Sequence, residues 1–87
     1  MSRKPATKSE KRVLLAKAHR RVGHLKNALS LFRKVLEDEP KNLEVLLSLA
    51  EMSLEFGQSR GAASLILRGL ACDPENDQCL TVLDQVL

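Results

Sequence analysis

The chain resembles itself at a spacing of 34 residues: Gly23 and Gly57, Ala28 and Ala62, Leu36 and Leu70, and Pro40 and Pro74 share that offset. So do Leu15 and Leu49, Ala16 and Ala50, Ser30 and Ser64, Leu31 and Leu65, and Asn42 and Asn76. A fixed period of roughly 20 to 50 residues is the mark of a stacked repeat, in which each unit buries its apolar face only against a neighbour. Stacks of this kind usually bind other proteins along a groove and do no chemistry themselves, so the period bears on function before any single residue is weighed.

Apolar spacing fills in the units. A basic tail, residues 1–8, is expected to be disordered. Val13, Leu14, Leu15, Ala18 and Val22 then recur at helical spacing, and Gly23 follows as a residue able to end a helix at positive φ. A second helix, from about His24 to Glu37, carries Leu25, Ala28, Leu29, Phe32, Val35 and Leu36 and must stop before Pro40, which has no amide hydrogen to donate. Asn42 is placed to cap a third helix whose Leu43, Leu46, Leu47, Leu49, Ala50, Met52, Leu54 and Phe56 make it the most buried, and Gly57 stops it. Ser59 can cap a fourth, carrying Ala62, Ala63, Leu65, Ile66, Leu67, Leu70 and Cys72 and meeting Asp73-Pro74 as the second met Glu39-Pro40. A fifth starts near Asn76, with Leu80, Leu83 and Leu87. The expected organisation is repeat 9–42, repeat 43–76 and a terminal helix 77–87.

At 87 residues the chain has room for one small domain, since a chain of this size buries only about 60% of the surface its unfolded state exposes. Phe32 and Phe56 are the only aromatics besides histidine, so the core is aliphatic and no platform exists for stacking bases. The net charge of +3 hides a division of sign. Residues 1–42 hold twelve Lys and Arg against four Asp and Glu, a balance of +8, whereas residues 43–87 hold two against seven, a balance of −5. Fields separated in this way steer partners of opposite sign or bring copies together end to end. The basic start is followed by Ser9-Glu10-Lys11-Arg12, where a secretion signal needs an apolar run, and no apolar stretch approaches the roughly 20 residues that span a bilayer. The chain therefore reads as cytoplasmic, and Cys72 and Cys79 as reduced thiols rather than a bridge.

The repeated residues resemble the tetratricopeptide repeat, a helix-turn-helix unit with the signature W-x2-L-G-x2-Y…A-x3-F…P. In the first repeat Leu15-Ala16, His19, Gly23, Ala28, Phe32 and Pro40 take the signature places, with Arg12 standing where the signature has Trp. In the second, Leu46, Leu49-Ala50, Gly57, Ala62, Ile66 and Pro74 fit, Gly69 falls where a small residue is preferred, and Ser53 replaces the Tyr. The resemblance implies an all-α fold of antiparallel helix pairs stacked as a short right-handed solenoid of about five helices.

In that family the first helix of each pair lines a concave inner surface. The resemblance therefore implies a partner-binding groove of Glu10, Val13, Lys17, Arg20 and Arg21, then Glu44, Leu47, Ser48, Glu51 and Leu54, then Gln78, Thr81 and Gln85. It would take a protein or peptide segment with apolar anchors near Leu47 and Leu54 and acidic residues near Lys17, Arg20 and Arg21. One branch of the family clamps the C-terminal carboxylate of heat-shock chaperones with Lys and Asn. Those places here are Val13, Lys17, Ser48, Gln78 and Val82, which disfavours that role. On the fifth helix Cys79, Val82 and Val86 form a second apolar stripe beside Leu80, Leu83 and Leu87, expected either to fold against the fourth helix or to join two copies of the chain in a homodimer. Nucleic acid is a weaker candidate. Arg3, Lys4, Lys8, Lys11, Arg12, Lys17, Arg20 and Arg21 would bind only a phosphate backbone, with strong salt dependence. No phosphate loop, nucleophile elbow or carboxylate pair is present, and His19 and His24 lack companions at metal-ligand spacing, so no enzyme, cofactor or metal is expected.

Overall fold

The computed structural model describes residues 7–87. The tail assigned to residues 1–8 lies outside them, apart from Thr7 and Lys8. Those two begin the first helix, because the Thr7 hydroxyl oxygen accepts from the Glu10 amide at 3.1 Å and caps it. Five helices follow in order and no strand occurs among the described residues: α1 (Lys8–Arg21), α2 (Leu25–Asp38), α3 (Leu43–Glu55), α4 (Ser59–Cys72) and α5 (Asp77–Val86). The chain is all-α, as the periodicity and the resemblance imply.

The contacts divide it into two compact units, Met1–Asp38 and Glu39–Leu87. In the first unit α1 packs on α2; in the second α3 packs on α4, and α5 lies chiefly against α4 with a smaller contact to α3.

Both hairpins turn by the same device. Gly23 and Gly57 have φ of 89° and 74°, a left-handed conformation that a side chain disfavours. The next residue's amide then reaches back five residues, His24 to the His19 carbonyl and Gln58 to the Ser53 carbonyl, each at 2.8 Å. This closure brings α4 in directly after Gln58, so Ser59 is the first residue of the helix and its side chain is not the cap, contrary to the sequence expectation.

Asn42 and Asn76 repeat one another as well. Their Oδ1 atoms accept from the amides of Val45 at 3.2 Å and Cys79 at 2.9 Å, and their amide groups donate to Glu39 at 3.0 Å and Asp73 at 3.4 Å. Asn42→Ala and Asn76→Ala should each destabilise the chain by about 1 kcal/mol. In Asn76→Ala, amide exchange should speed up first in α5, which can be read residue by residue by NMR.

The core follows the period. Ala16 and Ala50, Ala28 and Ala62, and Phe32 and Ile66 are all fully buried. In the second unit Leu47, Ala50, Ala62, Ile66, Cys79 and Val82 form one cluster. Gly69 explains how α4 approaches its neighbours so closely, since a Cβ there would lie 3.0 Å from Cys79 Sγ and 3.2 Å from Leu43 Cδ2. Six of the residues of α3 are buried, more than on any other helix, as its sequence suggested.

Candidate partner-binding surfaces

On α1 the buried line is Ser9, Val13 and Ala16, spaced by four and three residues. Val13, expected in a groove, therefore belongs to the interior and offers a partner nothing. Lys17 and Arg21 are exposed and Arg20 is half-buried, which leaves the C-terminal half of α1 strongly cationic. Leu14, Leu15, Ala18 and Val22, expected on one stripe with Val13, are all exposed. Leu15 retains 51% of its surface although its repeat equivalent Leu49 retains 5%. The place of the signature Trp is used differently too. Arg12 forms an ion pair with Asp38 at 3.1 Å, tying the first turns of α1 to the end of α2, whereas the equivalent Leu46 is simply buried. With Asp38 largely exposed, that pair is worth at most about 1 kcal/mol.

On α3 Glu44 and Glu51 are exposed, Ser48 and Leu54 are half-buried, and Leu47, at 8% exposure, is part of the core cluster. Of the two expected apolar anchors only Leu54 retains accessible surface. Thr81 on α5 is exposed, but its hydroxyl donates to the Asp77 carbonyl at 2.8 Å, so it is tied back to its own helix.

The stripe expected to join two copies divides. Cys79 and Val82 are buried in the core cluster and Val86 packs half-buried against it, so they face inward. Burial pushes the Cys79 thiol's pKa up, with smaller contributions from the charges of Asp73 and Cys72, and keeps it a neutral core group. Both cysteines are free thiols. The open face of α5 is the other one: Leu80 is 45% and Leu87 95% exposed, with Leu83 half-buried between them. Sequence arithmetic could have found this. Leu80, Leu83 and Asp84 occupy the places of Leu46, Leu49 and Ala50 on α3, and a carboxylate at the third place marks a face that is not closed as tightly as its counterpart.

Among the described residues no helix is long and apolar enough to cross a membrane, and no group of three or more His, Cys, Asp or Glu could hold a metal ion.

Comparison with known proteins agrees with this architecture. The tetratricopeptide repeat family profile matches residues 19–86. The chain is also similar to Protein CTR9 homolog of Arabidopsis thaliana, at 30% identity over 73 residues; the match covers 84% of this chain and 7% of that protein, so the chain spans only a small part of the relative's length. Repeats of this family generally mediate protein–protein interaction. The twice-used glycine turn, the paired Asn caps, the buried Ala and Phe or Ile positions and the profile match all follow one 34-residue unit, and the chain belongs to the tetratricopeptide repeat family.

Proposed function

We propose that the chain is a cytoplasmic, non-catalytic adaptor or small chaperone that holds a segment of one protein partner against the first helices of its repeats. The observation that carries this reading is the sorting of charge on those helices. Lys17, Arg20 and Arg21 lie in the C-terminal half of α1, while α3 carries the exposed Glu44 and Glu51 and the half-buried Leu54. Val13 and Leu47 are committed to the interior, so recognition by α1 rests on charge. Its cationic C-terminal half favours a segment rich in acidic residues, with association that weakens as salt rises. Peptides of that composition, drawn from an array, supply the test. Lys17→Glu combined with Arg20→Glu should reduce their affinity at least tenfold while the mass in solution and the helical content stay unchanged; unaltered affinity would reject the surface.

The exposure of Leu80 and Leu87 favours a second reading, self-association through α5. A dimer of this kind persists in high salt and is lost in Leu80→Asp. A wild type that scatters light as a monomer at low and high salt would remove it, whereas a dimer that dissociates only in high salt would point to the oppositely charged halves of the chain.

A further inference from the structure

The hairpin turn of the first unit places two histidines against one another. His19 lies in the last turn of α1 and His24 follows Gly23, and the backbone bond from the His24 amide to the His19 carbonyl, 2.8 Å, holds the two residues side by side. Their Nδ1 atoms are 3.2 Å apart, their ring centres 5.4 Å apart and the rings inclined at 40°. That is hydrogen-bond distance: in the neutral pair one Nδ1–H donates to the other Nδ1, and the two rings are then opposite tautomers.

A metal ion satisfies the same spacing. With metal–nitrogen bonds of about 2.0–2.1 Å and a tetrahedral angle, two histidines on one ion have nitrogens about 3.4 Å and ring centres about 5.2 Å apart. Both observed separations lie within a few tenths of an ångström of those values. We propose that His19 and His24 form a site for one divalent transition-metal ion of the copper, nickel and zinc group, bound through the two Nδ1 atoms with its remaining positions open to water.

Neutral imidazole is the ligand these ions accept, and the affinity order of such ions puts Cu²⁺ first. Binding to the neutral pair consumes no proton. The ring that donates through Nδ1 moves its hydrogen to Nε2, so both rings in the loaded site carry Nε2–H. The C-terminal end of the α1 dipole favours a cation there and opposes the repulsion from the neighbouring Arg20 and Arg21. In the second repeat the equivalent places hold Ser53 and Gln58, so the site belongs to the first repeat alone.

The test uses the full chain with Cys72→Ser, which removes an exposed thiol as a competing ligand. Titration with Cu²⁺ should show one histidine-bound equivalent, and either His24→Ala or His19→Asn should weaken it at least tenfold. His24 is exposed, so its loss leaves the helices intact by circular dichroism. With Zn²⁺, imidazole nitrogen NMR should show both rings as Nε2–H tautomers. Cu²⁺ affinity unchanged in His24→Ala, or rings that keep opposite tautomers in excess Zn²⁺, would overturn the site.

Discussion

Replacing Phe32 with Ala should unfold the first hairpin. Phe32 is fully buried and is the largest buried side chain of the first unit, whose other interior residues, Ser9, Val13, Ala16, Ala28 and Val35, are small or β-branched. Ala28 and Phe32 sit one turn apart on α2, so the small residue lets the helices approach and the large one fills the space the approach encloses. Truncating a buried Phe costs about 3–5 kcal/mol, because the lost transfer energy is joined by the cost of a cavity that neighbours cannot refill. That is the scale of the whole stability of a small domain, about 5 kcal/mol at the low end. Phe32→Leu keeps most of the volume and should lose less than about 1.5 kcal/mol. Urea unfolding followed by circular dichroism separates the two variants, and amide exchange should show α1 and α2 losing protection before α3, α4 and α5. A Phe32→Ala variant within about 1 kcal/mol of the wild type would mean that the buried phenyl ring is not what holds this unit.

The elements legible in the sequence are those whose chemistry is local. Gly23 and Gly57 end helices because the left-handed turn needs a residue without Cβ, and Asn42 and Asn76 start them because a short amide side chain reaches the amide three residues on. Such signals need no knowledge of what lies opposite. The facing of α1 needed that knowledge. At helical pitch Leu14, Leu15, Ala18 and Val22 fall on one face and Val13 on the other, so the periodicity favours the face that the structure leaves exposed. The structure selects the line through Ser9, Val13 and Ala16, which includes a serine and leaves two leucines outside. The same limit applies to Leu47, where a helix with apolar residues around much of its circumference gives periodicity nothing to separate. The contact between His19 and His24 escaped for another reason. Five residues is not a helical spacing for ligands, and only the backward bond of the glycine turn brings them together.

The orientation of α5 can be decided by two substitutions that the sequence alone would rank in the opposite order. If Cys79, Val82 and Val86 had been an exposed seam between copies, Val82→Asp would lower the mass of an assembly and leave the helices alone. Val82 instead retains 7% of its surface and lies among Leu47, Ala50, Ala62, Ile66 and Cys79, where a carboxylate would have neither water nor a cationic partner in the cluster. An uncompensated buried charge costs about 3–5 kcal/mol. Val82→Asp should therefore detach α5 and lower the unfolding midpoint sharply at neutral pH. The loss should be smaller in acid, where the introduced side chain enters the core uncharged. Leu80→Asp, at a residue already half in water, should change stability by no more than about 0.5 kcal/mol. Thermal unfolding of the two variants at neutral and acidic pH, with mass measured on the same samples, gives opposite patterns for the two orientations. A stable Val82→Asp beside an unstable Leu80→Asp would turn α5 over, moving Cys79 to the surface and returning Val82 and Val86 to the candidates for self-association.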